Sequence, residues 1–399
     1  MECVILAAGE GKRMRPLTAT RPKVMIPLVN RPMADHLVCA ARDAGITEFV
    51  FVVGYREHEV RQYFGDGSGL GVSIRYVTQR HQRGTADALR AVEDMVSGWF
   101  LLLNGDMVIR SQDIAGIIKN KALRMGLFHS DHPEDFGVVT LEGETVTSLQ
   151  EKSDQPRSNL INAGVYYLSE EIFTDLRSVA ASSRGEYELT EALADMIKEG
   201  RMTGHPLSFW LDVGYPWDLL DANAALLKEL TPVSEGIIEE GVHLSGMVST
   251  GKGTVIKSGT YIEGPCIIGD NCRIGPHAYI RGATAIGPRC HIGHSTEIKN
   301  SLIMEDTRIP HFNYLGDSVV GRECNFGAGT KVANLRHDHR PVLVRGRNTR
   351  RMKLGAIIGD GVRLGINCSV NVGSVIGSGA IVAPHSLVEG CIDGKTFLR

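Results

Sequence analysis

A glycine-rich segment near the N-terminus has the residue types that bind phosphate. The segment LAAGEGKRMRPLT (6–18) directly follows a short apolar run. Backbone N–H groups in such a turn can surround phosphate oxygens without side-chain clashes. Arg13 and Arg15 add positive charge within the segment, and Lys23 in RPKVMIPL adds more nearby. Transfer at the α-phosphate of a triphosphate requires cations placed where negative charge builds up. The segment therefore indicates a phosphate site.

Two carboxylates at the ends of apolar runs are candidate metal ligands. Asp106 ends LLLNGD and Asp212 ends FWLD. Together they suit Mg²⁺, which prefers one or two carboxylates completed by water and phosphate oxygens. A structural interpretation stays open, since Asp residues at strand ends often cap helices and a glycine-rich turn alone is a weak signal. Lys23 alone is equally compatible with a solvated surface charge.

The N-terminal half contains the elements that must position these residues. From Cys3 to about Asp218, short apolar runs alternate with amphipathic helical stretches. This alternation predicts an α/β Rossmann-like domain, with a mostly parallel sheet and helices on both faces. Ligands of such sheets bind beyond the carboxyl ends of the strands, which is where Gly9 and Asp106 fall.

The C-terminal half has a different period. Isoleucine recurs every six residues at 256, 262, 268, 274, 280, 286, 292 and 298, and Met304 is taken to continue the register. A second register runs through Ile358, Leu364, Val370, Ile376, Val382 and Val388. This period predicts a left-handed parallel β-helix of hexapeptide repeats. Between Pro310 and Gly355 the period breaks, so we expect irregular turns or a projecting loop there.

Composition limits the partners. Hydrophobic residues make up 43% of the chain, charged residues 22%, and the formal net charge is −3. We therefore expect a folded protein of two domains, 1–230 and 231–399, with no bulk binding to nucleic acid or membranes. The N-terminus lacks the plan of a signal peptide. The eight cysteines form no CxxC pair, which favours reduced structural thiols and a cytoplasmic location.

The first half resembles the sugar-1-phosphate nucleotidylyltransferase family. The resemblance rests on the order and spacing of AAGEGKRMRPLT, RPKVMIPL, QRHQRGTADAL, NGD, EKSDQP, INAGVYYL and WLDVGYPWDL. It implies catalytic phosphate contacts from Arg13 and Lys23, and Mg²⁺ ligands in Asp106 and Asp212. The further substrate contacts that it implies are Ala8, Gly9, Gly11 and Thr85, with Gln79 and Gly84 at the base and Gly137, Glu151 and Asn162 at the sugar. Lys12 departs from the Thr of many members.

The β-helical half resembles a second catalytic site. IPHFNYLGDSVVGRECNFGAGTKVANL is similar to the acetyltransferase site of the bifunctional N-acetylglucosamine-1-phosphate uridylyltransferase/glucosamine-1-phosphate acetyltransferase family. The resemblance implies His311 as general base, a role that suits histidine because its side chain can take up and release a proton near neutral pH. It also implies Asn334 and Tyr314 at the sugar or tetrahedral intermediate, the Ala328 N–H as oxyanion donor, and Arg281 and Lys299 on the sugar phosphate.

The coenzyme region departs from the bacterial pattern. Ile366 stands at a position usually held by a small polar residue, and RHDHRPVLVRGRNTRRMKLGA replaces a short loop. The combination is most similar to the archaeal form of the family. We expect Ala383 to contact a substrate. Five basic residues of the insertion either contact the phosphates of acetyl-CoA or are solvated, namely Arg345, Arg347, Arg350, Arg351 and Lys353.

The resulting prediction is a bifunctional enzyme that uses acetyl-CoA, an amino-sugar 1-phosphate and UTP or dTTP, assembled as a homotrimer through the β-helix. Two alternatives stay open. One is a monofunctional glucose- or mannose-1-phosphate nucleotidylyltransferase with a structural or regulatory β-helix. The other is a non-catalytic subunit similar to those of a nucleotide-exchange factor, which the intact Arg13, Lys23, Asp106 and Asp212 argue against.

Overall fold

The computed structural model describes residues 1–151, 155–182 and 185–399. They pack into two compact units. The first unit contains Met1–Glu10, Pro22–Met25 and Met33–Asp212, and the second contains Gly11–Arg21, Ile26–Pro32 and Val213–Arg399. The division of the sequence into domains 1–230 and 231–399 stays a prediction.

In the described part of the first unit there are eleven strands and six α-helices, which are numbered in chain order. The strands are β1 (Glu2–Ala7), β2 (Glu48–Val53), β3 (Ser73–Thr78), β4 (Trp99–Asn104), β5 (Met107–Ile109), β6 (Arg124–His129), β7 (Val138–Glu142), β8 (Thr145–Gln150), β9 (Leu160–Ser169), β10 (Thr203–Pro206) and β11 (Trp210–Asp212). The helices are α1 (Met33–Asp43), α2 (Glu57–Phe64), α3 (Thr85–Arg90), α4 (Ser111–Ile117), α5 (Ile172–Leu176) and α6 (Leu189–Lys198).

A nine-stranded mixed sheet forms the centre of this unit. Its strand order is β3-β2-β1-β4-β9-β6-β10-β8-β7, and β5 pairs separately with β11. Strands β1 to β4 are parallel, whereas β9 runs antiparallel to both of its neighbours β4 and β6. Alternate residues of β1 join different cores: Ile5 packs in a cluster with α1 and α4, and Val4 packs in a cluster with α3 and α6. The predicted α/β sheet with helices on both faces is confirmed.

The second unit is a left-handed parallel β-helix with three sheets. Sheet I contains Ile237–Ile238, Val255–Ile256, Arg273–Ile274, His291–His294, Arg308–His311, Asn325–Phe326, Arg363–Leu364, Ile381–Val382 and Phe397–Leu398. Sheet II contains His243–Ser245, Tyr261–Glu263, Tyr279–Arg281, Glu297–Lys299, Tyr314–Gly316, Lys331–Val332, Ser369–Val370 and Leu387–Val388. Sheet III contains Val248–Thr250, Cys266–Ile268, Thr284–Ile286, Leu302–Ile303, Val319–Val320, Ile357–Ile358, Val375–Ile376 and Cys391–Ile392.

The six-residue period fills one continuous core. All eight predicted isoleucines are buried in it, because each occupies the inward position of a short strand. The second unit also contains α7 (Asp218–Glu229) and two small hairpins, Pro27–Leu28 with Arg31–Pro32 and Leu343–Val344 with Arg347–Asn348. The predicted β-helix is confirmed.

One detail of the predicted register is wrong. Ile286 pairs with Ile303, and Ile303 with Val320, so Ile303 and not Met304 continues the inward column. The coil is one residue shorter at this point, and this shortening breaks the sequence period. Coils continue through Lys331–Val332, and the chain then leaves the stack until Ile357–Ile358. The projecting segment is therefore shorter than the predicted 310–355.

None of the eight cysteines forms a disulfide. Burial raises the pKa of Cys266 and Cys324 to about 12, which keeps both thiols protonated at neutral pH. Within the described residues, no helix combines the length and apolar character needed to cross a membrane.

Candidate functional sites

A cation and two carboxylates lie at the ends of neighbouring strands in the first unit. Lys23 is almost fully buried, and its Nζ lies 2.6 Å from Oδ2 of Asp106. Asp106 follows β4 and immediately precedes Met107, which pairs with Asp212 across β5 and β11. The structure thus places Lys23, Asp106 and Asp212 at one edge, and we call these three residues the strand-end site.

The strand-end site fits the divalent metal that the resemblance implies. Asp106 is partly exposed, so its carboxylate can accept both a cation and water. Mg²⁺ needs only one or two protein carboxylates when water and phosphate oxygens complete its shell. Across the described part of the chain, no group of three or more His, Cys, Asp or Glu side chains forms an all-protein metal site. Asp106 and Asp212 are therefore the two carboxylates that would hold the ion.

The residues predicted to contact the nucleobase are held by hydrogen bonds and close packing. The Gln79 side-chain amide is buried and donates to the Gly84 carbonyl at 3.1 Å and to Oδ2 of Asp87 at 2.8 Å. Gly84 has φ of 109°, and an added Cβ would lie 2.3 Å from the Tyr187 carbonyl oxygen. Only glycine fits there. The hydroxyl of Thr85 accepts the Leu189 N–H at 3.0 Å, which fixes the start of α3.

The three predicted sugar contacts also come together. A Cβ on Gly137 would lie 3.6 Å from Oε1 of Glu151 and 3.7 Å from Cβ of Asn162. The Asn162 amide donates to the hydroxyl of Tyr166 at 2.7 Å, and burial raises the pKa of that phenol. A neutral Tyr166 therefore holds the amide in one orientation. Lys152, Ser153 and Asp154 of the EKSDQP motif lie outside the described residues.

The remaining residues of the glycine-rich segment divide between the units. Ala8 is buried, and its carbonyl accepts the Tyr55 N–H at 3.0 Å. An added Cβ on Gly9 would meet no atom within 4 Å, so this position is open enough for a ligand. Gly11 and Arg13 belong to the second unit. There the Gly11 carbonyl accepts the Thr18 hydroxyl at 2.9 Å, and the Arg13 guanidinium lies 5.2 Å from the ring centre of Tyr215.

A buried carboxylate organises the predicted acetyltransferase residues in the second unit. Asp317 is 4% exposed. Its Oδ1 accepts from Nδ2 of Asn300 at 2.7 Å, and its Oδ2 accepts from Nζ of Lys299 at 3.2 Å and from Nδ2 of Asn334 at 2.5 Å. We call Asp317, Lys299, Asn300 and Asn334 the Asp317 cluster. It holds a positive charge and two amides in fixed positions.

Tyr314 lies against this cluster. A Cβ on Gly316 would be 2.6 Å from Nδ2 of Asn334 and 2.7 Å from Oη of Tyr314, so both side chains lie over the same glycine. Burial raises the pKa of Tyr314, and the nearby carboxylates of Glu297 and Asp317 raise it further. The phenol therefore stays protonated and able to donate a hydrogen bond at neutral pH.

Arg281 occupies the same column of sheet II, one coil below Lys299. Its Nε lies 2.9 Å and its Nη2 2.8 Å from Oε1 of Glu297. The hydrogen bond to Glu297 raises the pKa of Arg281. Arg281 and Lys299 thus point a pair of cations along one face of the β-helix.

His311, Ala328 and Ala383 lie along one edge of sheet I. His311 ends the strand Arg308–His311 and is exposed. The N–H of Gly329, next to Ala328, donates to the His311 carbonyl at 3.0 Å, and the Ala328 carbonyl accepts the Asn367 N–H at 2.8 Å. Ala383 directly follows Ile381–Val382, which is two strands beyond Asn325–Phe326 in the same sheet. Stacked coils therefore align the predicted base, oxyanion donor and coenzyme contact.

Sequence reasoning missed several residues of these sites. It assigned no role to Asp317, Asn300, Glu297 or Asp87. Asp317, Glu297 and Asp87 each contact a predicted residue, and Asn300 donates to Asp317. The strand register gave a signal for Glu297. It is two residues before the predicted Lys299 on the same strand, and residues two apart on a strand share a face. For Asp317 the signal was its position directly after Gly316, which lies one coil after the predicted Lys299.

Both halves of the chain match known proteins. The model of the nucleotidyl transferase family matches residues 2–229, and that of the GMPPB C-terminal domain matches residues 262–353. A protein of Methanococcus maripaludis named bifunctional protein GlmU is 40% identical over 100% of this chain and 97% of its own. The chain belongs to the family of bifunctional sugar-1-phosphate nucleotidylyltransferases/acetyltransferases. The predicted archaeal-type bifunctional family is thus confirmed.

Further relatives agree with this family. A bifunctional sugar-1-phosphate nucleotidylyltransferase/acetyltransferase of Sulfurisphaera tokodaii is 38% identical over the full length of both chains. A solved structure described as a glucose-1-phosphate thymidylyltransferase from Bacillus anthracis has a TM-score of 0.54 and 28% identity, covering 58% of this chain and 96% of its own. The chain is therefore a transferase, and its family implies use of a metal ion, a nucleoside triphosphate, a sugar phosphate and acetyl-CoA.

Proposed function

We propose that this protein acetylates glucosamine 1-phosphate, or galactosamine 1-phosphate, with acetyl-CoA and then joins the N-acetylated product to UTP. The products are UDP-N-acetylglucosamine and pyrophosphate, with dTTP as a further nucleotide substrate. The observation that carries the proposal is a full-length match to bifunctional relatives in a chain that has both the strand-end site and the Asp317 cluster.

In the nucleotidyl transfer, the sugar-phosphate oxygen attacks the α-phosphate in line, and pyrophosphate leaves. Lys23 supplies a nearly buried positive charge next to Asp106, and Arg13 supplies a second cation for the phosphates. Charge held in place before the reaction stabilises the transition state without further reorganisation. Asp106 and Asp212 would hold Mg²⁺, which neutralises phosphate charge when bound. Gly137, Glu151 and Asn162 orient the sugar, and Gln79, Gly84 and Thr85 form the pocket of the base.

In the acetyl transfer, His311 removes a proton from the ammonium group of the amino sugar. The freed amine attacks the thioester carbonyl, a C–N bond forms, and the C–S bond breaks to release CoA thiol. Tyr314 and Asn334 orient the sugar, the Ala328 N–H faces the developing oxyanion, and Ala383 contacts the coenzyme. Arg281 and Lys299 hold the sugar phosphate, since guanidinium and ammonium groups are its natural partners.

The proposal includes a homotrimer built through the β-helix and a location in the cytoplasm. Stacked-coil β-helices often associate side by side. Sedimentation velocity on the full chain tests the trimer, and a monomer at micromolar concentration would contradict it.

The experiment that tests the function measures CoA thiol release from acetyl-CoA with glucosamine 1-phosphate, and pyrophosphate release with UTP and N-acetylglucosamine 1-phosphate. His311→Ala should lower thiol release by ~10²–10⁴, the usual contribution of a general base. Pyrophosphate release should be unchanged in the same variant. His243→Ala is the matched control, because it removes another exposed histidine from the β-helix.

Two outcomes would contradict the proposal. No thiol release from wild-type protein that releases pyrophosphate, with galactosamine 1-phosphate also tried, would favour the monofunctional alternative. No pyrophosphate release with UTP, dTTP or other nucleotides would favour a non-catalytic subunit. Comparison of UTP with dTTP on the wild type settles the preferred base.

A further inference from the structure

The second unit contains a strongly basic cavity. It has a volume of about 220 Å³, and four of its ten lining residues are arginines, whereas none is acidic. Two of the arginines, Arg13 and Arg15, come from the glycine-rich segment. The other two, Arg345 and Arg347, come from the hairpin of the segment that projects from the coils. Guanidinium groups gathered around one space can together donate to the oxygens of a polyanion.

The ring of Tyr215 lies against two of the four arginines. The guanidinium carbons of Arg347 and Arg13 lie 4.6 and 5.2 Å from the ring centre of Tyr215. Tyr215 in turn stacks on Trp217, with ring centres 4.8 Å apart and parallel planes. Stacked guanidinium groups lose less conformational freedom on binding a ligand, because their planes are already fixed.

The hairpin that contains Arg345 and Arg347 is held by hydrogen bonds, buried side chains and an ion pair. The Val342 N–H donates to the Arg351 carbonyl at 2.8 Å, and the Thr349 hydroxyl donates to the Val342 carbonyl at 2.7 Å. Val342 and Val344 are buried. At the base of the hairpin, Arg351 forms an ion pair of 2.6 Å with Asp221 on α7. These contacts fix the positions of Arg345 and Arg347.

We propose that this cavity binds the polyphosphate chain of a nucleotide, and that Arg345 and Arg347 contact it together with Arg13. Guanidinium groups bind phosphate oxygens through paired N–H donors. Pockets that enclose whole drug-sized ligands usually start at ~300 Å³, so this cavity suits a phosphate chain with the nucleoside outside it. The proposal rests on the proposed function only for the phosphate role of Arg13.

Two nucleotides of the proposed reactions contain such a chain. One is the nucleoside triphosphate, together with the pyrophosphate that it releases, and the other is the phosphorylated adenosine end of CoA. Binding is measured by isothermal titration calorimetry on the full chain without sugar phosphate, so that no turnover occurs. The probes are inorganic pyrophosphate, UTP and CoA.

The test variant is Arg345→Gln/Arg347→Gln, and the matched control is Arg340→Gln, which removes an arginine of the same projecting segment that does not line the cavity. Loss of two charge-assisted contacts should weaken binding of the nucleotide at least about tenfold. The control should bind within about twofold of wild type. Arg345→Lys/Arg347→Lys should bind with intermediate affinity, because lysine keeps the charge but not the planar fork.

The probes identify the source of the phosphate chain. Weaker binding of pyrophosphate and UTP with unchanged CoA assigns the cavity to the nucleoside triphosphate, and weaker CoA alone assigns it to the coenzyme. Unchanged affinity for all three probes in the folded double variant overturns the proposal. Failure of the proposed function is a separate result, because it is a lack of turnover in wild-type protein and leaves these affinities measurable.

Discussion

The strand-end site and the Asp317 cluster hold a lysine against an aspartate in different ways. Lys23 contacts Asp106 at the mouth of the sheet, where the Asp106 side chain is 34% exposed. Lys299 contacts Asp317 inside a stack of coils, where the Asp317 side chain is 5% exposed and two asparagine amides complete its hydrogen bonds. The first carboxylate is open to solvent and ligands, and the second is closed.

The difference in exposure between Asp106 and Asp317 predicts different effects of substitution on activity and on stability. The Asp106 carboxylate is open to water, so the strand-end site can exchange its partners for substrate or metal at a smaller cost than a closed carboxylate could. A buried carboxylate with three donors is costly to disturb, because each unpaired group then stays desolvated. We therefore expect substitutions in the strand-end site to change activity more than stability, and substitutions in the Asp317 cluster to change activity and stability together.

Lys23→Ala should have the largest effect on activity. Loss of a cation placed at the phosphates should lower kcat/KM for uridylyl transfer by ~10²–10³. The free energy of unfolding should fall by less than it does in Asp317→Asn, because the Asp106 carboxylate stays open to water. Steady-state pyrophosphate release and urea unfolding measure the two quantities. Lys119→Ala, at an exposed lysine of the same unit, is the control. An equal loss of acetyl transfer in Lys23→Ala would show that the two sites are not independent.

Asp317→Asn should lower both acetyl transfer and stability. Whichever way the new amide turns, its NH₂ group meets a donor, since Oδ1 accepts from Asn300 and Oδ2 from Lys299 and Asn334. We expect a loss of about 2–3 kcal/mol in the free energy of unfolding. Urea unfolding and thiol release measure the two effects.

The control for this variant is Asp306→Asn, at another aspartate of the β-helix that has a positive φ but whose ion pair with Arg289 is exposed. It should change stability by less than about 1 kcal/mol. Equal destabilisation by the two substitutions would remove the distinction between the open and the closed pair.

The sequence predicted these two regions to different depths. Periodicity was enough for the β-helix, because each inward isoleucine occupies an identical place in the stack. It misassigned Met304, because a coil that is one residue shorter shifts the period without interrupting the fold. The residues of the strand-end site were found from strand ends and motif order. The cavity around Tyr215 depends on residues distant in sequence, which no single period or motif relates. The partners of Asp317 lie about one coil away, but the period does not say which polar side chains meet.

Gly316→Ala should disturb the Asp317 cluster less than Asp317→Asn does, because it leaves the buried carboxylate in place. The added methyl group would lie 2.6 Å from Nδ2 of Asn334 and 2.7 Å from Oη of Tyr314, so both side chains must move apart. Asn334 is tied to Asp317 and cannot move freely. Acetyl transfer should fall by about tenfold, as misplacement of contacting groups is costly to rate. Thiol release measures the effect, and unchanged release would mean that Tyr314 and Asn334 need not adjoin.

Gly137→Ala is the corresponding change in the first unit and should have the smallest effect. Its methyl group would lie 3.2 Å from Cδ1 of Leu149 and 3.6 Å from Oε1 of Glu151, distances that a shift of a few tenths of an ångström relieves. We expect KM for the sugar phosphate to rise about threefold with kcat unchanged, because only uniform binding is weakened. Each glycine variant is the control for the other, since Gly137→Ala should leave thiol release unchanged and Gly316→Ala should leave pyrophosphate release unchanged. A larger effect from Gly137→Ala than from Gly316→Ala would reverse the comparison, and would place the more rigid of the two sites in the first unit.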